Sequence, residues 1–236
     1  MVHVAHLTSV HPRYDTRVFL KECTSLANHG YQVSLVVADG KGDECKNGVH
    51  IYDVGGSNGR WDRIHHAPER MLNKALALGA DVYHLHDPEL LPTALKLKKC
   101  GKRVVFDAHE DVPKQMLGKP YLNKPAKVLI SWVLRYLEAW VCRRLDAVVA
   151  ATPFIRDKFI SINGRSVDIN NFPMLRELGG VERRAEKPAQ VCYVGGITAI
   201  RGAREMVMAM KLVSNPVRLR LGGLFFEEGL DRKSVV

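Results

Sequence analysis

Cysteine is sparse and unpaired in this 236-residue sequence. Its five residues, Cys23, Cys45, Cys100, Cys142 and Cys192, are odd in number and form no C-x-x-C pair, which argues against a disulfide framework and a cysteine zinc site. Reduced thiols and a cytoplasmic location are the expectation. Long apolar runs are missing too: the stretch from Val128 to Leu134 is ended by Arg135 and Glu138, well short of the ~20 residues of a membrane span. The first residues, MVHVAHLTSVHPRYD, have no basic leader or sustained apolar region with a cleavage site, and read as a buried first strand. Glycine is absent where a dinucleotide fingerprint needs it, because the turn after that strand is Thr8-Ser9-Val10-His11-Pro12-Arg13; NAD or FAD has no cradle there. There is no G-x-x-x-x-G-K-[ST] loop for a triphosphate and no Asp-x-Asp pair for a metal-bound diphosphate.

Acidic residues are outnumbered, 25 against 35 Lys and Arg, leaving a formal charge of +10. Such a balance calls for an acidic partner: nucleic acid, anionic lipid or a phosphorylated small molecule. No helix-turn-helix, zinc-finger or RNP-like pattern is present, so nucleic acid is not expected.

What is present is a 46% apolar chain in which short β-rich runs alternate with amphipathic stretches. Strands are expected at His3–Leu7, 32–38, 49–54, 82–85, 103–107 and 147–150, with helices at 16–28, from Pro68, at 89–99 and before Ala147. This alternation predicts an α/β, doubly wound parallel sheet. Gly30 and Gly101 punctuate helix ends before strands. The expected division is 1–171 as a first domain, 172–188 as a linker and 189–236 as the start of a second α/β domain. Those last residues are too few to hide both faces of a parallel sheet, so the second domain reads as incomplete.

Ligands of open α/β sheets bind beyond the carboxyl ends of the strands, and three such loops carry chemistry. In His11-Pro12-Arg13-Tyr14-Asp15-Thr16-Arg17, Asp15 or Thr16 is placed to cap a helix facing a hydroxyl-rich or anionic ligand. In His84-Leu85-His86-Asp87 the two imidazoles share a strand face by the period of two; with no further ligand set at a recognisable spacing, strand-end hydrogen bonding is expected and no metal. In Phe106-Asp107-Ala108-His109-Glu110-Asp111, His109 is a candidate donor or proton carrier, or a histidine that merely solvates the strand end.

The order of H-P-R-Y-D-T-R, H-L-H-D, F-D-A-H-E, a linker and Y-V-G-G-I-T-A-I-R-G resembles bacterial glycosyltransferases of family 4, the group 1 enzymes with two-domain GT-B architecture. The resemblance implies an N-terminal acceptor domain with His11, Asp15 and Arg17 on the acceptor side. It places His109 beside the transferred sugar, as catalytic residue, and Gly195 and Gly196 at a turn whose following helix receives the donor diphosphate. Many members have arginine at the second of these glycines and Lys-Gly later; here Gly196 and Arg201-Gly202 stand there, leaving Arg201 as the main cationic contact. The implied activity is retaining transfer of a hexose from a nucleoside-diphosphate sugar to a saccharide or lipid-linked saccharide acceptor in cell-surface polysaccharide synthesis. No cofactor beyond that donor substrate is implied, and no metal. The family also carries two glutamates eight positions apart, whereas no Glu here has another eight positions later. The alternative expectation is therefore a truncated, non-catalytic module that binds a glycan or a membrane.

The segment 112–145, beginning at Val112 and ending at Leu145, holds Lys114, Lys119, Lys124, Lys127, Arg135, Arg143 and Arg144 against the single acid Glu138. Trp132, Tyr136 and Trp140 recur every four residues within it. The pattern suits either an interfacial helix on an anionic membrane surface or a stripe facing the core.

Overall fold

The computed structural model describes residues 1–119, 123–174 and 188–225. The chain divides into two compact units, Met1–Phe172 and Pro173–Val236; of the expected linker at 172–188, residues 175–187 lie outside the described residues.

The first unit is built on β1 (His3–Leu7), β2 (Gln32–Val37), β3 (Glu44–Lys46), β4 (Val49–Asp53), β5 (Val82–Leu85), β6 (Arg103–Ala108), β7 (Ala147–Ala150) and β8 (Ser166–Asp168). The sheet order is β3-β4-β2-β1-β5-β6-β7-β8. Every pairing is parallel except β3 with β4, so the doubly wound sheet gains one short antiparallel edge strand. The strand order reverses direction between β1 and β5, and a crevice opens beyond their carboxyl ends.

A helical segment, Thr16–Cys23, leads into α1 (Thr24–Asn28). It is π-wound: Asp15 O accepts from Leu20 N, five residues on, at 3.1 Å. Such widened turns are frequent at functional sites. The remaining helices of this unit are α2 (Gly59–His65), α3 (Ala67–Leu78), α4 (Leu91–Lys99), α5 (Val112–Leu117), α6 (Lys124–Cys142) and α7 (Pro153–Ile160). The helix expected from Pro68 is thus preceded by a separate one. Pro68 sits in the first turn of α3, where a missing N–H costs nothing.

Strand alternation sorts side chains onto two cores. Ala5, Leu7, Tyr83, Leu85, Val104 and Phe106 join α3, α4, α6 and α7 on one face; Val33, Leu35 and Val37 join Val18, Phe19 and Cys23 of the π-wound segment on the other. Period two then puts His6, His84, His86 and Asp107 on the face beneath the π-wound segment. The centre of that face is polar although it is covered.

The helix α6 is seated by few side chains. Asn123 caps it, accepting from Ala126 N at 3.0 Å, but only Glu138, Val141 and Cys142 are buried along its 19 residues. Trp132 and Tyr136 are each 65% exposed and Val128 62%. Of the two expectations for the aromatic stripe, the core-facing one is therefore overturned, because the buried side chains of α6 are confined to Glu138, Val141 and Cys142 while Trp132 and Tyr136 stay exposed.

The second unit pairs β9 (Gln190–Val194) with β10 (Arg218–Gly222) in parallel, connected through α8 (Ala203–Ala209). Among the described residues, no helix of either unit is long and apolar enough to cross a membrane.

Candidate active site

The loop after β1 is anchored to the end of β5 by one carboxylate. Asp87 Oδ2 accepts from Thr8 Oγ1 at 2.9 Å, Ser9 N at 2.6 Å and Val10 N at 3.2 Å. Thr8 Oγ1 in turn accepts from His11 N at 3.0 Å. His11 lies between two acids, its Nε2 3.5 Å from Asp87 Oδ1 and its Nδ1 3.6 Å from Asp15 Oδ2. The hydrogen bond to Asp15 raises the His11 pKa above its ordinary value, against burial and with help from Asp87.

Asp15 caps the π-wound segment, accepting from Arg17 N at 2.8 Å and Val18 N at 2.9 Å. Burial works to raise its pKa, but hydrogen bonds from His11 and these two amides hold it well below the usual carboxylate range.

Arg17, only 5% exposed, spends its donors inside the unit. Its Nε and Nη2 each meet one oxygen of Asp107 at 3.0 Å, and Nη1 meets Ile169 O at 2.6 Å. Asp107 also lies 3.3 Å from His109 Nε2 and 3.4 Å from His86 Nδ1. Burial would raise the Asp107 pKa; hydrogen bonds with His109 and His86 outweigh it and hold the group ionised, well below the ordinary value.

Behind these groups the three strand imidazoles touch one another. Ring centroids are 4.9 Å apart for His6 and His84, 5.2 Å for His6 and His86, and 4.6 Å for His84 and His86. Burial, then the charge each would place on its neighbours, pushes His84 down to about 3, His86 to about 4 and His6 well below its usual value. Glu22 approaches them from the π-wound segment. Burial and then the Asp107 charge push Glu22 up to about 9, against the pull of Arg17.

The crevice is a cavity of about 430 Å³ whose lining includes His11, Arg17, His86, Asp87, Asp107 and His109. Rings of His11 and His109 lie 4.7 Å apart at its side. All four candidate residues of the first unit, His11, Asp15, Arg17 and His109, are thus brought together, Asp15 one contact behind the lining. Gly195, Gly196 and Arg201 lie in the second unit. Gly195 has φ +152°, a conformation that favours glycine, and Gly196 O accepts from Tyr193 Oη at 2.9 Å. Arg201 is exposed just before α8.

His6 and Glu22 escape a reading by motif, since neither stands at a recognisable spacing from His84 and His86. The available signal was periodicity: a histidine among the apolar Val4, Ala5 and Leu7 of β1, pointing to the same face as Thr8.

A doubly wound sheet with a polar crevice at its switch point is a ligand-binding α/β domain, and the matches below make it the N-terminal domain of a GT-B protein. The family model Glycosyltransferase Family 4 matches residues 16–170, and the chain belongs to that family. Solved structures agree on the fold. Sucrose-phosphate synthase from Thermosynechococcus elongatus matches with a TM-score of 0.66 at 13% identity, covering 94% of this chain and 63% of that one. The E. coli trehalose-6-phosphate protein bound with UDP-2-fluoro glucose matches at 0.66 and 13%, covering 96% and 65%. The Anabaena HepE protein in complex with UDP and glucose matches at 0.64 and 10%, covering 98% and 63%. The chain therefore spans just under two thirds of the length of these relatives. Comparison with curated protein sequences found no match.

Proposed function

We propose that this chain supplies the acceptor domain, and the first strand–helix–strand of the donor domain, of a retaining hexosyltransferase. The donor is a nucleoside-diphosphate sugar. The acceptor is a saccharide or lipid-linked saccharide of a cell-surface polysaccharide. The observation that carries this reading is the pairing of His11 and His109 at the cavity wall, backed by Asp87 and Asp107: imidazoles with fixed carboxylate partners in a crevice of this size suit a hydroxyl-rich ligand.

In this reading His109 contacts the transferred sugar, and Asp107 orients its ring. His11 meets the acceptor hydroxyl, Asp15 fixes the His11 ring, and Arg17 forms the wall behind them. Gly195 and Gly196 let backbone approach the diphosphate, and the Arg201 guanidinium binds it. Catalysis is positioning and stabilisation of leaving-group charge. UDP-sugars are the donors to try first, because two of the similar structures hold UDP or a UDP-sugar.

Membrane contact belongs to the same reading. The face of α6 bearing Val128, Leu129, Trp132 and Tyr136 is open to solvent and flanked by Lys124, Arg135 and Arg143, the composition of a helix lying on anionic lipid.

The test is a transfer assay with labelled UDP-hexoses and a lipid extract as acceptor source, comparing the full-length protein that contains this chain with its His109→Ala variant. Transfer should drop by about 10²-fold or more, with the product keeping the donor's anomeric configuration by NMR. Equal turnover in the variant removes His109 from the chemistry.

A further inference from the structure

We propose that His6, His84, His86 and Glu22 form a binding site for one divalent transition metal ion, Zn²⁺ above all, beneath the floor of the cavity. These four side chains each bring one ligand atom into a set lying within 4.8 Å of one another. They come from three elements: His6 from β1, His84 from β5 with His86 just past its end, and Glu22 from the π-wound segment.

Register makes the set. His6 pairs with His84 across β1 and β5, and period two adds His86 to the same face. The individual separations are 2.9 Å from His6 Nδ1 to His86 Nε2, 4.0 Å from His86 Nε2 to Glu22 Oε2 and 3.9 Å from His84 Nδ1 to Glu22 Oε2. Donors around a tetrahedral zinc at its usual bond lengths stand about 3.4 Å apart.

Chemistry selects the ion class. Three imidazoles and one carboxylate converge here, and nitrogen-rich sets with one carboxylate suit Zn²⁺ and its neighbours rather than Mg²⁺ or Ca²⁺. The surroundings are those of a metal site. His86 Nδ1 stands 3.4 Å from Asp107 Oδ2, the carboxylate–histidine arrangement that orients a ligating ring. Arg17 Nε lies 3.1 Å from Glu22 Oε1, which leaves Oε2 for the ion. His6 Nε2, His84 Nε2 and both oxygens of Glu22 are buried without a hydrogen-bond partner among the described residues, and each such atom costs roughly 1–3 kcal/mol. An ion ligated by Glu22 Oε2 offsets that cost at the carboxylate; the separations above turn Nδ1 of His6 and His84 toward it, not their Nε2 atoms. Four protein ligands close the coordination sphere, so the ion's role is structural: it staples β1, β5 and the π-wound segment under His86 and Asp107. A second group, His86, Asp107 and His109, shares His86 and must be distinguished from it.

The test uses EDTA-treated protein in which the exposed Cys45, Cys100 and Cys192 are replaced by serine, so that thiolates do not compete. Zn²⁺ is titrated against a chromophoric chelator, and melting is followed with and without the ion. One equivalent should bind and raise the melting temperature. Glu22→Gln should weaken binding by more than about tenfold, beyond what loss of an outer partner often costs, and His109→Ala should leave it intact. Co²⁺ read on the unsubstituted ligand set should give the intense visible absorption of a four-coordinate site, which needs no ligand variant to fold. Absence of stoichiometric binding, unchanged affinity in Glu22→Gln, loss of binding in His109→Ala, or a pale six-coordinate Co²⁺ spectrum each overturns the proposal. None of these readings depends on transferase activity.

Discussion

Arg17 and Asp107, ninety positions apart, meet through two 3.0 Å hydrogen bonds in which Nε and Nη2 each take one carboxylate oxygen. The fork joins the π-wound segment to the end of β6 and sits between the pocket histidines and Glu22. Asp107 is fully buried, so its charge has been withdrawn from water and depends on these partners.

Arg17→Ala is therefore expected to cost about 3–5 kcal/mol, the scale for removing one partner of a buried pair. Urea denaturation of both proteins checks it. A loss under 1 kcal/mol would mean that Asp107 is rescued by His86 and His109 alone.

His11 and Asp15 set a pH dependence whose sign follows from their shifts. The His11 pKa is raised on folding, so its contribution is complete below its unfolded value of about 6.5 and is lost as pH climbs through the folded value. Asp15 is depressed; its contribution is present above about 3.9 and fades as pH falls through the folded value. In Asp15→Asn, the His11 imidazole resonances should titrate at lower pH than in the parent. Identical titration curves would remove Asp15 as the cause.

Asp87→Asn swaps one acceptor oxygen for a donor where two backbone amides and two hydroxyls converge. A destabilisation of roughly 1–3 kcal/mol is expected, together with shifted amide signals from Ser9 to His11 in a two-dimensional NMR spectrum. A silent substitution would show that the loop after β1 is held by other contacts.

Trp132→Ser should alter the melting temperature very little, since the ring is largely exposed and surface changes usually stay within about 0.5 kcal/mol. It should lower co-sedimentation with phosphatidylglycerol vesicles, while neutral phosphatidylcholine vesicles bind neither protein. A large loss of stability would instead mean that α6 buries this ring.

Much of the frame could be read directly. The strands at Gln32–Val37 and Arg103–Ala108 follow from short β-rich runs after Gly30 and Gly101, and those at His3–Leu7, Val82–Leu85 and Ala147–Ala150 from the runs alone. The loops bearing His11 and His109 were legible because any parallel sheet puts its chemistry beyond strand ends. The extra helix Gly59–His65, the short strand Glu44–Lys46 and the π winding of Thr16–Cys23 were not, since brief edge elements lack periodicity and a wide turn depends on what lies beneath it.

By itself the sequence determined the α/β class, the order of its elements and the strand-end loops, because periods of two and 3.6 are local properties of the chain. Only the tertiary structure decided that β1 lies between β2 and β5, and this one neighbour relation brings His6 beside His84, Thr8 and Ser9 onto Asp87, and Arg17 and Glu22 over the polar centre of the sheet. It also decided that the stripe of Trp132 and Tyr136 faces outward. An amphipathic helix specifies that it has an apolar face; what that face meets is set by where the rest of the chain packs.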